Sequence, residues 1–164
     1  MSDKNLPQKS KGTDVAVADD KRDYVTMFIG GQLFGIPVLQ VQDVLGAQRI
    51  TRIPLAPTEI AGSLNLRGRI VTAIDLRARL GMDKKDDGKP PMSIVVEFKN
   101  ELYSLMVDSV GEVLSLPARD FEQNPPTLQQ TWREVSSGVY RLDGKLLIVL
   151  GVEQLLNFAH VDAA

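Results

Sequence analysis

Carboxylates are the side chains in this sequence best placed to do chemistry. Asp75 follows the strand-like run RIVTAI and precedes LRARL, and Asp108 closes the run ELYSLMV. Two such acids held together could supply general acid–base catalysis without a histidine. Each also has a plainer reading. Asp75 stands where a helix N-cap would accept from first-turn N–H groups, and Asp108 stands at a strand end, where aspartate favours turns. Asp86-Asp87, within GMDKKDDGKPP, reads as solubilising charge. The single histidine, His160, has no cysteine and no second histidine to join it, so neither a triad nor a metal site can be built around it. There is no G-x-x-x-x-G-K-[ST] phosphate loop and no G-x-G-x-x-G after a strand. With no cysteine, disulfides, zinc–thiolate sites and thiol nucleophiles are excluded. No catalytic, cofactor-binding or metal-ligating residue is assigned.

Arg67 is the remaining candidate. It sits with Gly68 between SLNL and RIVTAI, at the tip of an expected hairpin. A solvated turn residue is one reading. The other uses its planar, permanently charged fork, which suits paired hydrogen bonds to a carboxylate or carbonyls of a protein partner. A nucleic-acid partner is not expected: the formal charge is −2 and aromatic residues make up only 5 %, too little positive field and too few stacking platforms. No apolar run approaches the roughly eighteen residues needed to cross a bilayer, so direct membrane insertion is not expected either. The N-terminal stretch has no apolar h-region. Residues 1–21 are expected to be a disordered tail, 22–159 the folded part and 160–164 a frayed C-terminus. The expected location is cytoplasmic.

The elements that would position these residues are β. YVTMFI, Gly30-Gly31 and QLFGI form one hairpin pattern; SIVVEF, Lys99-Asn100 and ELYSLMV a second. SLNL, Arg67-Gly68 and RIVTAI form a third; GVYRL, Asp143-Gly144 and KLLIVL a fourth. They are related in pairs. IGGQLFGIPVLQVQDVL (29–45) aligns without gaps on FKNELYSLMVDSVGEVL (98–114), and GSLNLRGRIVTAIDLRARL (62–80) on GVYRLDGKLLIVLGVEQLL (138–156). The chain therefore reads as two similar β units of about 70 residues, each too small for a large core and leaning on the other across an apolar interface. Residues 81–91 read as the solvated linker between them. Val38, Val41 and Leu45 form an i, i+3, i+7 stripe that fits either a short helix or an extended segment. VEQLLNF reads as a terminal helix, and Trp132 is expected to pack against a barrel. The fold class is all-β, with strands and tight turns closing into small barrels.

These residues also resemble a known family. LFGIPVLQVQDVLG, TRIPLAPTEIAGSLNLRGRIVTAIDLRARLG, LMVDSVGEVLSL and GVYRLDGKLLIVLGVEQLL, in that order, are similar to CheW-type chemotaxis coupling proteins over about Tyr24–Phe158. The resemblance implies two SH3-like five-stranded β barrels around a shared apolar interface, and no catalytic activity. It implies a non-catalytic scaffold that couples the histidine kinase CheA, through its regulatory domain, to the cytoplasmic tips of methyl-accepting transmembrane chemoreceptors, with no cofactor. Family partner-binding positions fall on Val38, Val41, Asp43, Gly62, Arg67 and Ile70. Leu45 stands where a basic or polar residue is usual in better-known members, and Thr72-Ala73 where proline and an apolar residue are usual.

Two other readings stay open at this point. One is a small barrel enzyme using Asp75 and Asp108 from a common pocket. The other is a regulatory module binding a small ligand or a response regulator in the crevice between the barrels.

Overall fold

The structure, a computed structural model, describes residues 20–159. His160 and most of the expected tail therefore lie outside the described residues. Strand β1 (Lys21–Ile29) begins one residue inside the expected tail. It turns through Gly30-Gly31 into β2 (Gln32–Pro37), and both glycines take positive φ. Pro37 closes β2, where its missing N–H removes no ladder bond. A single 3₁₀ turn (Val38–Gln40) then redirects the chain into β3 (Val41–Leu45), so the apolar stripe is part turn and part strand. Strands β4 (Ile60–Leu66) and β5 (Arg69–Asp75) follow, and helix α1 (Leu76–Arg79) completes the first copy.

The second copy repeats this order. It comprises β6 (Met92–Phe98), β7 (Glu101–Val107), β8 (Ser109–Pro117), a 3₁₀ turn (Ala118–Asp120), helix α2 (Gln130–Val135), β9 (Ser136–Leu142), β10 (Lys145–Leu150) and helix α3 (Val152–Leu156). All four expected hairpins form. Lys99-Asn100 and Arg67-Gly68 turn with positive φ at both central residues, the geometry whose twist matches the flanking strands.

The ten strands make two five-stranded sheets, ordered β8-β1-β2-β10-β9 and β3-β6-β7-β5-β4. The sequence repeat and the sheet do not coincide. Each sheet takes two strands from one copy and three from the other, because each copy divides after its second strand: β3, β4 and β5 join β6 and β7, and β8, β9 and β10 join β1 and β2. Parallel pairs β2–β10 and β5–β7 join the copies at each sheet's centre. The two expected barrel units are thus interleaved, each sheet being built from both copies.

Even the irregularities are duplicated. The register slips between Val41 and Asp43 against β6, and at the matching place between Val25 and Met27 against β8. It slips again at Ile60/Gly62 and, in the second copy, opposite Ser136 and Gly138. At both later sites the glycine lets an incoming loop pair with the strand: Thr51 bridges to Ser63, and Glu122 to Val139.

Alternation explains the core. On β1, Val25, Met27 and Ile29 face a central cluster shared by both sheets, whereas Tyr24 faces a second cluster inside the first barrel. On β10, Ile148 and Leu150 face the shared cluster and Leu147 and Val149 the barrel interior. Leu64, Val71 and Ala73 fill the second barrel. Central strands bury both faces, so they read as continuous apolar runs. Trp132 on α2 packs on the shared cluster as expected. Its Nε1–H donates to the Leu80 carbonyl at 2.9 Å, and its ring meets Phe34 edge-on at 5.5 Å.

Candidate protein-interaction face

The tip of the β4–β5 hairpin is built around one strained residue. Arg67 sits at φ 52° and Gly68 at 85°, and Asn65 Oδ1 accepts from the Gly68 N–H at 3.0 Å. A non-glycine residue in the left-handed region is disfavoured, by roughly 1 kcal/mol. The tight turn nevertheless requires it, and the result projects the arginine outward. Arg67 Nη2 meets Asp43 Oδ2, on β3, at 3.0 Å. The two acid–base partners thereby bridge the edge strands of the second sheet. Arg67 is 73 % exposed and Asp43 28 %, so the pair orients a guanidinium whose other donors face water. Ile70, which pairs with Asn65 in the ladder, is 69 % exposed.

The other expected contact residues are placed differently. Val38 and Val41 are half-buried and pack on the shared core, so each also serves stability. Gly62 is buried. A Cβ there would run into the Thr51 carbonyl oxygen, and its backbone lets the 50–53 segment lie on β4. It offers no surface of its own; it shapes the loop that lies against it.

Other apolar residues stand out that the sequence reading did not single out. Leu39, in the 3₁₀ turn, is 94 % exposed beside an apolar cavity of about 550 Å³ that Tyr24, Val38, Phe121 and Val149 help to line. Leu55 is fully exposed at positive φ. Two signals were available. Leu39 falls off the Val38–Val41–Leu45 stripe, and Leu55 lies between prolines in IPLAP, where no strand can bury it.

The two aspartates do share a cleft, of about 230 Å³, with Arg77, Lys84, Lys85 and Lys89. Both are engaged. Asp75 Oδ1 caps α1, accepting from the backbone N–H groups of Arg77 at 3.0 Å and Ala78 at 3.3 Å, as expected from its position. Asp108 accepts from Arg77 Nε at 2.9 Å and Nη2 at 2.6 Å, and from the Gly30 N–H at 2.9 Å. Hydrogen bonding from Arg77 holds the Asp108 carboxyl below the ordinary carboxylate range, against an opposing push from burial, with Gly30 assisting. A carboxylate held ionised so firmly is a poor proton acceptor at neutral pH. Its geometry is that of a clamp, tying α1 in one sheet to the β1–β2 turn of the other. Among the described residues no group of three or more histidine, aspartate or glutamate side chains is placed to hold a metal ion. Nor is any helix among them long and apolar enough to cross a membrane.

Comparison with known proteins agrees with this architecture. A protein-family profile described as "CheW-like domain" matches residues 23–160. The chemotaxis protein CheW of Klebsiella aerogenes is 32 % identical over 136 residues, 83 % of this chain and 82 % of that protein. The chemotaxis protein CheW of Rhizobium meliloti is 27 % identical over 87 % of this chain and 92 % of that protein. The crystal structure of the scaffolding protein TtCheW from Thermoanaerobacter tengcongensis superposes with a TM-score of 0.75 at 30 % identity, covering 87 % of this chain and 95 % of that one. Two SH3-like barrels on a shared core, built from this sequence, make the chain a member of the CheW-like family, and with it a chemotaxis scaffold protein.

Proposed function

We infer that the protein is a non-catalytic connector in the cytoplasm, holding the regulatory domain of the histidine kinase CheA to the cytoplasmic tips of chemoreceptors at the inner face of the membrane. One observation carries this reading: a hairpin tip strained to project Arg67, steadied by Asp43, with Ile70 exposed beside it. An arginine and an aliphatic side chain presented together on a rigid β scaffold match the chemistry of an interface hot spot. Val38 and Val41 pack on the shared core, and Gly62 shapes the loop that lies on β4. Engagement of Asp75 and Asp108 as cap and clamp favours the connector over the enzyme reading.

Transmission through such a connector requires that the receptor's signalling states differ in their contact free energy with it; binding that is equal in all states would pass nothing on. Co-sedimentation with receptor-bearing membranes tests the proposal. The wild-type protein is expected to carry CheA into the pellet, and Arg67→Ala to reduce the kinase recovered at least fivefold. Pelleting of CheA that is independent of this protein would refute it.

A further inference from the structure

Both copies end in a surface cavity at the hairpin tip, and the two cavities carry opposite charge logic. In the first, Asp43, Arg67, Arg69, Leu66 and Leu102 line a shallow space of about 150 Å³, crossed by the Asp43–Arg67 ion pair. The sequence repeat converts these, in order, to Glu112, Asp143, Lys145, Leu142 and Leu33. Those same five residues line a cavity of about 470 Å³ at the mouth of the other barrel, with Phe28 and Leu114 adding to its apolar wall. An acid and an arginine in one copy have become two acids in the other.

Glu112 and Asp143 are exposed and form no ion pair among the described residues, and neither does Lys145, the cation at the same rim. Val113, next to Glu112, is 59 % exposed, as its counterpart Val44 is partly exposed. The second cavity is therefore three times larger, floored by leucine and phenylalanine, and has lost the internal cation that crosses the first. A bare metal ion would gain nothing from the apolar floor. An arginine uses both parts, laying its methylenes on the apolar wall and its fork against the carboxylates.

The geometry points to the Glu112–Asp143 cavity as a socket for an arginine presented by a partner protein at the tip of a loop or hairpin, flanked by apolar side chains. The internal precedent gives the expected arrangement, since Arg67 already meets the equivalent acid at 3.0 Å. The donor is a protein other than a second copy, since this chain's own tip arginine, Arg67, is already paired with Asp43; the inference stands on the duplicated geometry, so it can fail while the connector reading holds.

The test is amide chemical-shift mapping on the full chain with the peptide acetyl-LRGRI-amide as probe and acetyl-LEGEI-amide as control. Shifts are expected at Gly111–Leu114 and Leu142–Lys145 with the arginine peptide alone, weakening as salt is raised. Asp143→Arg, which restores an internal cation opposite Glu112, is expected to weaken peptide binding at least tenfold without lowering thermal stability, and Lys145→Ala to preserve it. Absence of binding, equal shifts with the glutamate peptide, or undiminished binding by Asp143→Arg would overturn the socket. Self-association of the free protein that Asp143→Arg abolishes would make a second copy the occupant and overturn the assignment to a different partner.

Discussion

Replacing Asp108 with alanine removes a carboxylate on which three donors converge: Arg77 Nε at 2.9 Å, Arg77 Nη2 at 2.6 Å and the Gly30 N–H at 2.9 Å. Hydrogen bonds to a charged group contribute roughly 1.5–3 kcal/mol each. The side chains of Arg77 and Asp108 are about one-fifth exposed (20 % and 19 %), so water recovers part of that loss, and Arg77 keeps its bond to the Asp83 carbonyl at 2.8 Å. The net loss expected is about 2–3 kcal/mol, or roughly 10 °C in melting temperature for a domain of this size. The pH dependence follows from the sign of the shift. The Asp108 pKa is lowered in the folded state from 3.8, so its contribution is complete well above that value and disappears as pH falls through the lower, folded value. Urea unfolding followed by circular dichroism at pH 7, 5 and 3 would measure it. The gap between wild type and Asp108→Ala is expected in full at pH 7 and 5 and should begin to narrow at pH 3. A gap under about 0.5 kcal/mol at pH 7, the size of an ordinary surface substitution, would refute the clamp. So would a gap that holds its full size to pH 2.

Further outcomes follow from single contacts. Gly62→Ala should destabilise the fold by more than about 2 kcal/mol, since its Cβ would strike the Thr51 carbonyl and the loop cannot yield without breaking the Thr51–Ser63 pairing; thermal melts decide this. Val41→Asp should lower both stability, by about 2 kcal/mol, and partner affinity, because it places an unpaired charge against the shared core; unchanged urea unfolding would contradict that placement. Asp75→Asn, which retains a side-chain acceptor for the cap, should lower stability by less than about 1 kcal/mol when measured by the same unfolding assay.

The parts legible in the sequence were those written locally. Turn pairs such as Asp143-Gly144 marked all four hairpins, Asp75 announced its cap, and two gapless alignments exposed the duplication. The division of each copy between the two sheets, after β2 and after β7, was not legible. A half-buried strand such as VQDVL satisfies its alternation against either neighbour, and only long-range pairing decides. Site residues divided the same way. Arg67 and Ile70 are exposed where the hairpin puts them, whereas Gly62 is required by its own backbone, which a motif does not distinguish from contact. Val41 lies on an apolar stripe that fits a partner contact or a core contact equally well, and the structure rests it on the shared core. Asp108 reads as a turn aspartate because its partner, Arg77, is 31 residues away along the chain.

In the proposed function the exposed Arg67 tip grips another protein while contributing little to the fold. Calorimetric titration of the CheA regulatory domain into wild type and Arg67→Ala, with melting curves for both, tests it most directly. The Asp43–Arg67 pair is a surface ion pair, so its removal should change stability by less than about 1 kcal/mol. Arg67→Ala is expected to bind with at least a tenfold weaker Kd at nearly unchanged Tm; equal Kd values for the two proteins would rule out a gripping role for Arg67.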